Sequence, residues 1–291
     1  MKRHFLILLL AGAAAVRGFA ANGELLSYDT AVRKASFASD ELFHTLLSAP
    51  HGVGQADEHA FPKAIERKLV RVEAFVPYDT KRTGIEVWTI QHAPGDTVSY
   101  ILTLAPDWQG SVTFEVELDA GAPQGVLAGI GQDSALEFSG QEFFFRAALE
   151  DQRQFTPRGQ SDMARSSDMV VLGRFPYARN AAALSGVANM VIANYQREHA
   201  IILSLRTIAG TDDQPGEQFA SIVVGTPVYY QADFCRFRMV NGVGCLVSYQ
   251  HRIYGANAQD DMTAWLKANG AAAEHNLLNW NGMVIPHASA P

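Results

Sequence analysis

This sequence is short of several things that usually announce a function. It holds 2 cysteines in 291 residues, which excludes a small domain stapled by several disulfides. Basic residues are outnumbered, 23 against 30 acidic. A phosphate backbone or an anionic lipid surface therefore meets net repulsion, and binding to nucleic acid or to the membrane surface is set aside. The motifs that mark common enzymes are also missing: there is no Gly-x-Ser-x-Gly elbow, no His-Glu-x-x-His, no Walker loop, no strand followed by Gly-x-Gly-x-x-Gly, and no calcium loop. The stretch from Gly125 to Gly131 has the glycine content of a phosphate loop but no Lys-Ser or Lys-Thr after it. No cofactor is expected. Repeats and low-complexity runs are absent as well.

What is present is the composition of a folded protein, 48% apolar and 18% charged, in a chain long enough to bury a core without metal or disulfide staples. The first twenty residues read as an address. Lys2 and Arg3 precede an apolar stretch from Phe5 to Val16, and Gly18-Phe19-Ala20 supplies small residues at an exit. This is the layout of a secretory leader cut after Ala20. The apolar stretch falls short of the roughly twenty residues that a membrane helix needs; the alternative is an uncleaved membrane anchor, which Arg17, unusually late in the leader, favours. Loss of residues 1–20 removes three basic residues and no acidic one, which moves the formal charge from −7 to −10. The expected location is periplasmic or secreted, with no integral membrane segment left after cleavage. No Asn-x-Ser/Thr acceptor occurs, in keeping with a bacterial-type export signal.

The mature chain divides, on its patterns, into a part over 21–155, a polar loop over 156–168 and a second part over 169–291, with one continuous domain over both parts as the alternative. In the first, Asp40 is positioned to cap a helix through Leu47, and residues 51–61, rich in Gly, Asp and His, read as a loop. Strands are expected at 68–76, 85–90, 98–104 and 112–118, joined by short turns, hence an antiparallel meander. Val112, Phe114, Val116 and Leu118 alternate with Thr113, Glu115 and Glu117, the pattern of a sheet with one wet face. A further strand is expected at 142–146. The second part opens with a strand from Met169, and over 181–199 two readings stand: Leu184, Val187, Val191 and Tyr195 form a helical stripe, while 193–197 followed by 200–208 has the pattern of a hairpin; the helix is preferred. Strands at 201–205, 219–224, 228–237 and 244–254 follow, then a helix capped by Asn257 and ended by Asn269-Gly270, and another over 271–280. The class is α+β, with antiparallel sheet in both halves and helices packed at the C-terminus.

Asn241-Gly242 marks a hairpin between the last two strands. Cys235 and Cys245 flank it, and a register that opposes odd to odd numbers brings both to one face. An exported chain could then join them, closing a loop worth about 3 kcal/mol on the chain-entropy argument. The same register gathers Tyr229, Gln231 and Asp233 on one strand with Tyr249 and His251 on the other. A carboxylate, an imidazole and phenols together suit general acid–base work. This supports an alternative reading as a secreted hydrolase, with His251 as base, Asp233 orienting it and Tyr249 assisting. No nucleophile is specified. His44, His51, Asp57, Glu58 and His59 include ligand types that zinc or copper accepts, but their spacing matches no compact ligand module, and no metal site is expected. Trp108, in a turn, is a candidate for stacking on a sugar or a partner surface. The leading expectation is a non-catalytic binding or envelope-associated protein whose partner is a protein, a glycan or a small molecule.

Overall fold

A computed structural model describes residues 26–48, 51–79, 81–107, 111–121, 125–211, 215–281 and 284–286. The expected leader and Trp108 lie outside the described residues. The chain forms two compact units, Met1–Asp119 and Ala120–Pro291. Each contains antiparallel sheet and helix, as the α+β class requires.

In the first unit, β1 (Ser27–Tyr28), α1 (Thr30–Ala35), α2 (Asp40–Ser48) and α3 (Val53–Ala60) precede β2 (Lys68–Val76), β3 (Gly84–Ala93), β4 (Asp96–Pro106) and β5 (Val112–Leu118). The last four make the expected meander, and β1 adds a short parallel pair to β2. Phe43, Leu46 and Leu47 of α2 pack on Trp88, Tyr100 and Leu102 of the sheet. The cap of α2 is Ser39, whose Oγ accepts from the Leu42 amide at 3.2 Å, one residue before the expected Asp40. Residues 53–60, expected as loop, are helical because Val53 and Asp57, four apart, are both buried; the polar composition conceals this pair.

Two buried carboxylates hold this unit together. Asp57 accepts from Arg67 Nε at 3.0 Å and from the Tyr100 hydroxyl at 3.0 Å, and lies 2.9 Å from His92 Nε2. Glu86 accepts from the Phe37 amide at 2.6 Å, from Trp88 Nε1 at 2.7 Å and from Ser36 Oγ, tying the α1–α2 connection to β3.

The second unit is one nine-stranded sheet built from β6 (Ser134–Phe138), β7 (Gln141–Leu149), β8 (Gln152–Pro157), β9 (Asp168–Phe175), β10 (Ile201–Ile208), β11 (Glu217–Gly225), β12 (Tyr229–Val240), β13 (Val243–Tyr254) and β14 (Val284–Pro286), in the order β10-β11-β12-β13-β9-β8-β7-β6-β14. Residues 134–157 thus share a sheet with the C-terminal strands, and the unit boundary falls before the polar loop rather than within it. The helix expected from the Leu184 stripe is α4 (Ala181–Arg197), capped by Asn180, whose Oδ1 accepts from the Ala183 amide at 2.7 Å. The two helices expected at the C-terminus are one, α5 (Ala258–Asn279), which runs through Asn269-Gly270; Asn257 makes no side-chain cap bond.

The helices lie on opposite faces. Phe234, Val247 and Val170 point toward α5, where they meet Met262 and Leu277. Arg236 fastens the end of that helix, pairing with both oxygens of Glu217 and donating to the carbonyls of Leu277 at 3.2 Å and Trp280 at 3.0 Å. On the other face, Gln218 donates to Ser185 of α4 at 2.9 Å.

Asn241 and Gly242 have φ of 53° and 79°, the two-residue turn whose twist matches its flanking strands. It opposes Val240 to Val243, so odd residues of β12 face even residues of β13. Cys235 is opposite Ser248 and Cys245 opposite Arg238. The two cysteines therefore point to opposite faces, and both are free and buried. The expected disulfide is not formed, because a tight turn sets the opposite parity to the one a bridge needs.

Candidate functional site

The same parity divides the expected polar cluster between the two faces. Tyr249 and His251 face α5, opposite Phe234 and Ala232, whereas Asp233 is opposite Gln250 and faces α4. The carboxylate that His251 meets is Asp168, brought alongside by the pairing of β9 with β13. His251 Nδ1 lies 2.8 Å from Asp168 Oδ1, and the Tyr249 hydroxyl donates to the same oxygen at 2.7 Å. Ser167 Oγ donates to Oδ2 at 2.8 Å. Burial acts to raise the Asp168 carboxyl, but the bonds from His251, Tyr249 and Ser167 outweigh it and hold it below its ordinary value. Tyr249 is pushed up by burial and by the neighbouring carboxylate.

The imidazole of His251 lies flat on Trp265 of α5, with ring centroids 4.0 Å apart and an interplanar angle of 8°. Its side chain is 14% exposed. An aspartate holding Nδ1 is the orientation a general base needs. Tyr249 is committed to the aspartate, however, and no hydroxyl or thiol is within hydrogen-bond reach of Nε2 among the described residues. Asp233 has no part in this cluster, which corrects its expected role as the orienting carboxylate.

The α4 face carries a cavity of ≈ 590 Å³. Its polar lining comes from Gln152 and Gln154 of β8, Gln231 of β12, Ser248, Gln250 and Arg252 of β13, and Tyr195 of α4. Met169, Val171 and Leu246 lie between these groups on neighbouring strands. Asp233 is fully buried beside it, accepting from Gln231 Nε2 at 2.8 and 2.9 Å and from the Tyr195 hydroxyl. Burial dominates there and pushes its carboxyl up to about 6, against the lowering effect of those bonds and of Arg252. Arg252 donates to Gln231 Oε1, to the Met163 carbonyl at 3.0 Å and to Gln250 Oε1 at 3.3 Å, and lies over the Tyr229 ring at 5.4 Å.

The remaining candidates fall apart. Asp57, singled out beside His51, Glu58 and His59, is occupied by Arg67, His92 and Tyr100 as described above. No group of three or more His, Cys, Asp or Glu able to hold a metal occurs among the described residues. A second cavity, ≈ 570 Å³ and lined by residues 60–65 with His92 and Asp96, lies in the first unit. Its His92 is already held by Asp57. Reasoning from sequence missed Asp168 and the β8 glutamines, since strand pairing alone brings them in. One signal was available: a two-residue turn at Asn241-Gly242 requires odd to face even, and so separates Asp233 from His251.

No protein-family model matches the chain, and no curated protein matches it. Among solved structures it is similar to the Ran-binding protein Mog1p of Saccharomyces cerevisiae, at 6% identity and a TM-score of 0.34 over 54% of this chain and 96% of that one. A mutant of Mog1 matches at 7% and 0.34, over 53% and 96%. A putative outer membrane protein from Bacteroides fragilis matches at 7% and 0.13, over 61% and 77%.

Proposed function

We propose that this chain is an exported, periplasmic or secreted, protein that binds a small polar molecule without transforming it, in the cavity on the α4 face of the nine-stranded sheet. The observation that carries the reading is that cavity: ≈ 590 Å³, with amide, hydroxyl and guanidinium groups from three strands and one helix converging on it. Ligand sites take this form, a concave space of mixed lining with a few polar groups that orient the occupant. The engagement of Tyr249 with Asp168 and the stacking of His251 on Trp265 weigh against the hydrolase alternative, which would need Asp168 in the role first given to Asp233. Export rests on the basic, apolar and small-residue segments of residues 1–20.

Thermal-shift measurements against a panel of sugars, amino acids, organic acids and nucleosides test the binding. Ala164 is exposed on the rim of the cavity, so Ala164→Trp should obstruct it while leaving the fold intact. The expected result is a ligand that raises the melting temperature of the wild type and not of Ala164→Trp. A panel that raises neither, or both alike, counts against the cavity. For export, the expectation is a processed chain beginning at Ala21 in the periplasmic or culture fraction; an unprocessed chain confined to the cytoplasm overturns it.

A further inference from the structure

The charges at this cavity are already spent. Each nitrogen of the Arg252 guanidinium has an acceptor within the protein, and the Asp233 carboxylate is taken up by Gln231 and Tyr195. The hydrogen bonds of Arg252 go to neutral acceptors, but its charge and that of Asp233 lie close enough to act on one another, so the pair is offset within the protein and an anionic or cationic ligand would lose its water for little net electrostatic gain. What remains free is neutral. The side-chain amides of Gln152 and Gln154 have no partner among the described residues, and neither does Gln250 Nε2, since only the Oε1 of that side chain accepts from Arg252. Ser248 is engaged only by a long contact from the Cys235 thiol at 3.7 Å. An amide pairs a donor with an acceptor on one rigid group, and a hydroxyl is both at once. These are the partners that vicinal hydroxyl groups require.

The strand register arranges them around an apolar floor. Gln154, Val171 and Ser248 stand in one row across β8, β9 and β13, and Met169 and Gln250 stand side by side in the next. Gln154 and Ser248 are thus two strand spacings apart, about 10 Å, with Val171 between them and Leu246 and Met169 to either side. A hydrogen-bonding rim around an apolar floor of that width matches a pyranose ring, which has a C–H face and an equatorial belt of hydroxyls.

Resting on the binding reading above, we infer that the cavity takes a neutral polyhydroxylated ligand, a small sugar, seated with its C–H face on Met169, Val171 and Leu246 and its hydroxyls on Gln152, Gln154, Ser248 and Gln250. A site built to bond hydroxyls discriminates strongly against ligands that leave those groups unpaired.

Isothermal titration of the intact protein tests this. The probes are D-glucose, D-galactose, N-acetyl-D-glucosamine and cellobiose, against D-glucuronate and D-glucosamine as charged forms of the same ring, and L-glutamine and L-arginine as non-sugars. The expected result is a neutral sugar that binds with Kd below about 1 mM, roughly ten-fold or more tighter than either charged form. Gln154→Leu, of nearly unchanged volume, should weaken it by about five-fold or more at an unchanged melting temperature. If a charged form binds as well as the neutral sugar, or Gln154→Leu binds it equally, the inference is wrong. If an amino acid, organic acid or nucleoside binds, Ala164→Trp blocks it and no sugar does, the inference falls and the binding reading stands. If nothing in either set of compounds binds, both fall.

Discussion

Asp233 and Asp168 stand on opposite faces of one sheet and titrate in opposite directions. Asp233 is raised to about 6 by burial, above the roughly 3.9 of an unfolded aspartate. The native chain therefore holds its proton where the unfolded chain has released it. The stability this contributes is fully present below about pH 4 and is lost as pH rises through about 6, a change on the order of 3 kcal/mol. Urea unfolding of wild type and Asp233→Asn at intervals from pH 4.5 to 7.5 should show the stability difference shifting in favour of the variant by about 2 kcal/mol, the part of that change which falls inside this window. A constant difference means the carboxyl ionises normally. Asp168 has the reverse sign: its contribution is present above the unfolded value and is lost as pH falls through its depressed one. Among the thiols, Cys235 is pushed up to about 12 and Cys245 is also raised, both by burial. Both should resist a thiol reagent in the native state and react, two per chain, in non-reducing denaturant; no reactive thiol there would show that a bridge forms after all.

At the scale of elements, α5 and the β12–β13 hairpin decide the architecture of the second unit. Helix α5 crosses Gly270, whose added Cβ would meet only Leu266 Cδ2 at 3.7 Å. The glycine serves no close approach, and Gly270→Ala should raise the stability of the protein by roughly 0.5–1 kcal/mol, read by denaturant midpoint. A loss would mean that the break expected at Asn269-Gly270 has a local purpose. Gly244 is the contrary case: a Cβ there would stand 2.7 Å from Ala178 Cβ and 3.2 Å from Leu184 Cδ1. That absence lets the start of α4 close onto β13, with the Gly244 amide donating to the Ala178 carbonyl at 2.7 Å. The alternation in β5 was plain in the sequence because its Val112, Phe114, Val116 and Leu118 pack on the core while Thr113, Glu115 and Glu117 stay exposed, whereas β3 and β4 are buried on both faces over their centres. Residues 53–60 were not plain, because the helix buries only Val53, Gly54 and Asp57, two of which are not apolar side chains.

For the whole molecule, the two units have cores with no residue in common. Glu86, fully buried, collects its bonds entirely within the first. Glu86→Ala leaves the Phe37 amide and Trp88 Nε1 without their acceptor, a loss of roughly 2–4 kcal/mol. Hydrogen exchange should report it as reduced protection in β2 to β4 with β9, β12 and β13 unchanged. Loss of protection in both sheets would mean that the units unfold as one.

Local sequence determined the α+β class, the meander, the stripe of α4, the Asn-Gly hairpin and the leader-like start, because each is written in neighbouring residues: a period, a cap, a turn pair or a charge followed by an apolar run. Tertiary structure alone decided that β6 to β8 join the C-terminal strands, that His251 meets Asp168, and that four glutamines and an arginine from β8, β12 and β13 line one cavity. Those groupings depend on which strands pair and in what register. Strand pairing joins residues more than eighty positions apart, Asp168 and His251 among them, and no local pattern records it. The register of the last hairpin is the point where the two levels meet, since a two-residue turn, legible in the sequence, set which face each of its side chains would occupy.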